Sequence, residues 1–135
     1  MNAPVLLMVV EDEPLILLGA TDALESGGYE TITAQSGEEA VGLLDMRISD
    51  IAGLITDVRL GSGPSGWEVA RHARSLNAGL PIVYTTGDSA ADWPVEGVPN
   101  SIVVQKPYAA AQLVTAISML LTAPPVTPPP APPGD

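Results

Sequence analysis

Several polar residues stand where apolar runs end, and their types suit one chemistry. Glu11 and Asp12 directly follow the run Val5 to Val10, Asp57 follows a second run, Thr85-Thr86 end a third, and Lys106 follows a fourth. Two or three carboxylates packed together repel one another, and removing them from water adds to the cost. A hard divalent cation would relieve both, and oxygen-only ligands without His or Cys favour Mg2+ over zinc. A hydroxyl and an ammonium on the same rim could hold the oxygens of a phosphoryl group. An aspartate beside them could act as a nucleophile toward phosphorus, giving an aspartyl-phosphate. All of this requires a fold that brings the strand ends together.

The elements between these residues supply such a fold. Val5 to Val10 is short enough for a strand buried on both faces. Pro14 suits the first turn of a helix to about Leu24, stopped by Gly27-Gly28. Tyr29 to Ala34 reads as a second strand, and Ser36-Gly37-Glu38-Glu39 as a capping box opening a helix to about Ile48. Ile51 to Thr56 is a third strand, followed by a capping box at Ser65-Gly66-Trp67-Glu68 and by Ala70, Ala73 and Leu76 at helical spacing. Leu80 to Thr85 and Ser101 to Val104 complete the strands. Between them Pro94 and Pro99 allow only a short helix, predicted over Ser89 to Trp93, and a last helix runs from about Ala109 to Leu121. Strict alternation predicts an α/β fold, a parallel sheet with helices on both faces. Its strand carboxyl ends share one edge, where ligands bind at the point of strand-order reversal. With the first strand beside the third, Asp12 and Asp57 face each other there.

The 135-residue chain carries 16 acidic and 5 basic residues, a net charge of −11, and no cysteine. That length fits one domain with one sizeable core. The absence of cysteine excludes disulfides and thiolate metal sites. The acidic balance argues against a nucleic-acid partner, which would need clustered Lys and Arg. No apolar run approaches the roughly 18 residues of a membrane span, and Met1-Asn2-Ala3-Pro4 lacks the positive start of a secretory signal. A cytoplasmic location is expected. Seven of the 14 prolines fall in residues 123–135, which predicts a disordered polyproline-II tail after a folded domain in residues 1–122.

The motifs Val9-Val10-Glu11-Asp12-Glu13, Thr56-Asp57, Thr85-Thr86-Gly87 and Lys106-Pro107-Tyr108 resemble, in order and spacing, the response-regulator receiver domain of two-component signalling. The resemblance runs from about residue 4 to 121. It implies the flavodoxin-like (βα)5 fold with strand order 2-1-3-4-5, and phosphorylation by a histidine kinase or phosphotransfer protein with Mg2+. Asp57 matches the phosphoacceptor, Asp12 the direct Mg2+ ligand, and Glu11 its acidic neighbour. The backbone carbonyl of Arg59 would complete the protein's metal ligands. Thr86, preferred over the adjacent Thr85, matches the hydroxyl that turns toward the phosphoryl group, Lys106 the ammonium that pairs with it, and Pro107 a position where the family usually has a cis peptide.

Three departures stand out. The loop Val58 to Gly66 is about two residues longer than is usual. Val103 occupies the position, three before the lysine, where the family often has an aromatic, so an aromatic switch is absent or moved to Tyr84 or Tyr108. Prolines shorten the fourth helix. Arg59 and Asp88, each two residues beyond a matched site residue, are expected to pair across the crevice mouth. His72 is expected on a solvated helix face. In the last helix Leu113, Ala116, Ile117 and Leu120 should pack on the sheet, leaving Val114, Met119 or Leu121 for a dimer or partner surface.

The expected function is that of a stand-alone receiver: a switch that signals by phosphorylation-controlled protein binding and catalyses only its own phosphorylation and dephosphorylation. One alternative is a phosphorylation-independent adaptor acting through the last helix and tail. The other is a Mg2+-dependent phosphohydrolase. Haloacid-dehalogenase-like enzymes need Asp-x-Asp, whereas Asp57-Val58-Arg59 lacks the second acid.

Overall fold

A computed structural model of the protein describes residues 4–122. The proline-rich segment lies outside the described residues. The strands are β1 (Leu6–Val10), β2 (Glu30–Ala34), β3 (Gly53–Asp57), β4 (Ile82–Thr86) and β5 (Ser101–Gln105). The helices are α1 (Pro14–Ser26), α2 (Gly37–Arg47), α3 (Gly66–Leu76), α4 (Trp93–Glu96) and α5 (Ala110–Thr122). All strand pairs are parallel, in the order β2-β1-β3-β4-β5. The chain therefore reverses direction across the sheet between β1 and β3, as the flavodoxin-like reading requires. No helix among the described residues is long and apolar enough to cross a membrane.

Both sheet faces are dry because the strand residues alternate between two apolar layers. Met8, Val10, Leu54, Ile82 and Tyr84 join residues of α2 and α3 on one side. Leu7, Val9, Ile55 and Val83 join residues of α1 and α5 on the other. The termini explain where helices begin. Pro14 opens α1, where its missing N–H costs nothing. Ser65 and Glu68 form the full capping box of α3. The box of α2 is half made: Ser36 Oγ accepts from Glu39 N–H, but the Glu39 carboxylate reaches back to the amide of Gln35.

Two expectations need correction and a third is narrowed. The short helix over Ser89–Trp93 is instead a 3-10 turn at Ala90–Asp92 followed by α4, because Pro94 suits a first helical turn rather than a stop. His72 is not simply solvated, since its ring lies 2.6 Å from the Asp45 carboxylate and ties α3 to α2. In α5, Val114 and Leu121 pack at the margin of the second layer, which leaves Met119, 60% exposed, as the apolar residue that stands free.

Candidate functional site

Each site residue begins where its strand's ladder makes its last bond. Glu11 N–H donates to the Ala34 carbonyl, Val58 N–H to that of Thr85, and Lys106 N–H to that of Thr86. The side chains next to these bonds are thereby delivered to one edge. The loop after Asp57 is held down by buried Val58 and Leu60 and returns so closely that Gly66 donates to the Val58 carbonyl. A side chain at Gly66 would overlap the carbonyl of Asp57, so glycine is required there.

At that edge one ammonium faces two buried carboxylates. Lys106 Nζ lies 2.7 Å from Glu11 Oε1 and 3.3 Å from Asp57 Oδ2. Glu11 Oε2 accepts from Glu13 N–H at 3.2 Å, and Asp57 Oδ1 accepts from Val58 N–H at 3.0 Å, so both carboxylates are oriented. Glu11, Asp12 and Asp57 each offer an oxygen within 4.8 Å of the others. Asp57 is only 7% exposed, whereas Asp12 stands at the solvent side.

The electrostatics reflect one cation among three acids. Burial pushes Glu11 up to about 6; the Lys106 hydrogen bond opposes this, and the Asp57 charge adds to it. Burial also raises Asp57, against the charge and hydrogen bond of Lys106. Burial alone would lower Lys106, but its bond to Glu11 and the charges of Asp57 and Glu11 hold it above its ordinary value. A set of oxygen donors whose protons are hard to remove is what a hard cation relieves, so these residues fit Mg2+.

The remaining site residues lie around this centre. Thr85 is the register partner of Asp57. Thr86 Oγ1 accepts from the amides of Ser89 at 2.8 Å and Asp88 at 3.3 Å, so in this state it holds the following loop. The Lys106–Pro107 peptide is cis. The Arg59 side chain meets the Asp88 carboxylate at 3.0 Å, the pairing expected from their positions. Tyr84 is fully buried beside Trp67 with its hydroxyl on the Val98 amide, and Tyr108 is half-buried beside Lys106. The backbone donors Glu13 and Val58 were not foreseen; every residue carries an N–H, so residue type gives no signal for them.

Comparison with known proteins agrees with this geometry. The family model described as response regulator receiver domain matches residues 7–118. The chain is 30% identical over 120 residues to the probable transcriptional regulatory protein TcrX of Mycobacterium tuberculosis, covering 87% of this chain and 50% of that protein. It is 26% identical to the response regulator SaeR of Staphylococcus aureus, covering 86% and 50%. It therefore spans about half the length of these curated relatives. Among solved structures, a response regulator receiver protein from Sinorhizobium medicae superimposes with a TM-score of 0.86 at 39% identity, covering 89% of this chain and 96% of that one. A putative response regulator from Chloroflexus aurantiacus gives 0.78 at 26%, covering 90% and 100%. With the family's motifs at one edge of a 2-1-3-4-5 sheet, and its signature matching nearly the whole described chain, the protein belongs to the response-regulator receiver domain family.

Proposed function

We propose that this domain is a phosphorylation switch in which Asp57 accepts a phosphoryl group from a histidine kinase or phosphotransfer protein in the cytoplasm and controls binding to another protein. The observation that carries this reading is the convergence of Glu11, Asp12 and Asp57 around the Lys106 ammonium. A carboxylate oxygen of Asp57 forms an O–P bond as the P–N bond of a phosphohistidine breaks, and the electron pair stays with the imidazole nitrogen. The amide of Val58 orients the attacking carboxylate. Lys106 neutralises the transferred oxygens, and Thr86 donates its hydroxyl to one of them. Glu11, Asp12, Asp57 and the carbonyl of Arg59 would hold Mg2+, which supplies charge neutralisation for the phosphoryl oxygens. Incubation with Mg2+ and acetyl phosphate, read by intact mass, should show one added acid-labile phosphate. No addition, or continuous release of phosphate from varied substrates, would contradict the reading.

The Arg59–Asp88 pair should set the lifetime of that phosphate. Its side chains are 74% and 57% exposed, so it contributes only about 0–1 kcal/mol to stability. Such a pair, joining the loops that follow β3 and β4, would hinder a water approaching in line with the Asp–phosphate bond. Arg59→Ala and Asp88→Ala should each speed phosphate loss about fivefold, equivalent to about 1 kcal/mol of barrier. The double variant should be no faster than the singles. Independent effects, or none, would remove the bridge from the account.

A second copy of the chain is the partner we place on α5. Met119 lies beside the half-buried Ile102 and Val103 of β5. Residues 97–122 contain no acid in a chain of net charge −11, so two copies meet there with least repulsion. Sedimentation should show a concentration-dependent dimer that Met119→Glu abolishes. A strict monomer at all concentrations would contradict this.

A further inference from the structure

Between Gly87 and Asn100 the chain leaves the site, makes the 3-10 turn and α4, and returns to β5. Two side chains of β4, two residues apart and so on one face, hold its two ends. At the near end Thr86 Oγ1 accepts from the amides of Asp88 and Ser89. At the far end the Tyr84 hydroxyl accepts from Val98 N–H at 3.0 Å, with the buried Tyr84 ring 4.6 Å from that of Trp67. The far end is held again by α3. Arg74 donates to the carbonyls of Pro99 at 2.6 Å and Asn100 at 3.2 Å, and also to that of Leu80. Arg71 donates to the Glu96 carboxylate at 2.6 Å and to its carbonyl. Even the start of α4 is fixed, since Trp93 Nε1 donates to Ser101 Oγ at 3.0 Å and its indole covers Gly97.

The two ends therefore differ in kind. The near end depends on one hydroxyl, supported by the exposed Arg59–Asp88 pair and by Ser89 Oγ on Asp88. The far end depends on a buried phenol and two guanidinium groups that take no part in phosphoryl chemistry. Ser89 is buried, and an amide that loses its acceptor there must open to water.

We propose that Tyr84, Arg71 and Arg74 are positioning residues that keep α4 and Val98–Asn100 fixed, so that phosphorylation frees only the backbone of residues 88–92 while the Asp88 carboxylate stays on Arg59. This rests on the role of Thr86 proposed above: when its hydroxyl turns to the phosphoryl group, the near tether is lost and the far one is not. The signal then appears as opening of the Asp88–Asp92 turn beside Leu60 and Trp67, while β5, with Val103 in place of an aromatic, stays still.

Amide hydrogen exchange on the full chain tests this, with intact mass read on the same samples. Thr86→Val without donor should speed exchange at Asp88 and Ser89 about tenfold and leave Val98 unchanged. Wild type with Mg2+ and acetyl phosphate should show the same pattern. Tyr84→Phe should speed Val98 with or without phosphate, because its acceptor is gone, and should let phosphorylation also speed Gly97, whose amide keeps the Trp93 carbonyl. Phosphate uptake with acceleration reaching Val98 in the wild type overturns the fixed anchor alone, and a Thr86→Val protein that exchanges like wild type overturns the Thr86 tether. Failure to take up phosphate overturns the proposed function, and with it the trigger.

Discussion

Asp57→Asn should abolish phosphate uptake and at the same time stabilise the metal-free protein. The amide cannot act as the nucleophile, yet it nearly matches the carboxylate in size and its oxygen can still accept from Val58 N–H. Asp57 is buried, and that burial raises its pKa despite Lys106, so its ionised form is unfavourable in the folded state. Lys106 retains its shorter bond to Glu11 at 2.7 Å after the substitution. Removing one charge from the cluster should therefore add about 1 kcal/mol, a rise of about 4 °C in melting temperature for a domain of this size. Melting in the presence of a chelator measures this, and adding Mg2+ should narrow the difference by stabilising the wild type. A variant that still gains stable phosphate, or that melts lower than wild type without metal, would contradict the assignment.

The same crowding predicts an unusual pH dependence. Burial and the charge of Asp57, against the Lys106 bond, place Glu11 at about 6 rather than its ordinary 4.5. An acid whose folded pKa is raised holds its proton better folded than unfolded. Its contribution is thus fully present below about pH 4.5 and is lost as pH rises through 6. The shift corresponds to about 2 kcal/mol at 1.36 kcal/mol per unit, and Asp57 acts in the same direction. Metal-free wild type should lose stability between pH 5 and pH 8 relative to Glu11→Gln, whose profile should be flatter. Mg2+ needs the ionised carboxylates, so its affinity should rise through pH 6 and level off above about pH 7. Urea titrations and calorimetric Mg2+ titrations across that range check both. Parallel profiles for the two proteins would show that Glu11 is not strained.

What the sequence discloses depends on how local the cause is. The unbroken apolar run from Val5 to Val10 marks β1 as buried on both faces, and the Ser65 capping box marks the start of α3, because both are short-range patterns. The site is legible for a different reason. A parallel α/β sheet gathers its strand ends, so Glu11, Asp57, Thr86 and Lys106 need only be placed on strand ends to be placed together. The pair Arg59 and Asp88 follows from the same placement. The anchors of the Gly87–Asn100 segment do not. Arg71 and Arg74 reach residues 25 or 26 positions away, and no periodicity encodes which carbonyl a long side chain finds. The tie from His72 to Asp45 escapes for the same reason: it depends on how α2 and α3 settle against each other. Met119 and Val114 differ in burial only through the exact rotation of α5 over the sheet.

Chemical mapping of the phosphorylated residue tests the central claim most directly. Protein treated with Mg2+ and acetyl phosphate is reduced with borohydride, which converts an aspartyl-phosphate to homoserine, and is then digested and sequenced by mass spectrometry. Homoserine at position 57 and at no other aspartate is the predicted result. Phosphate-dependent reduction at another aspartate, or none in a protein whose intact mass shows a stable phosphate, would contradict the assignment of Asp57 as the acceptor.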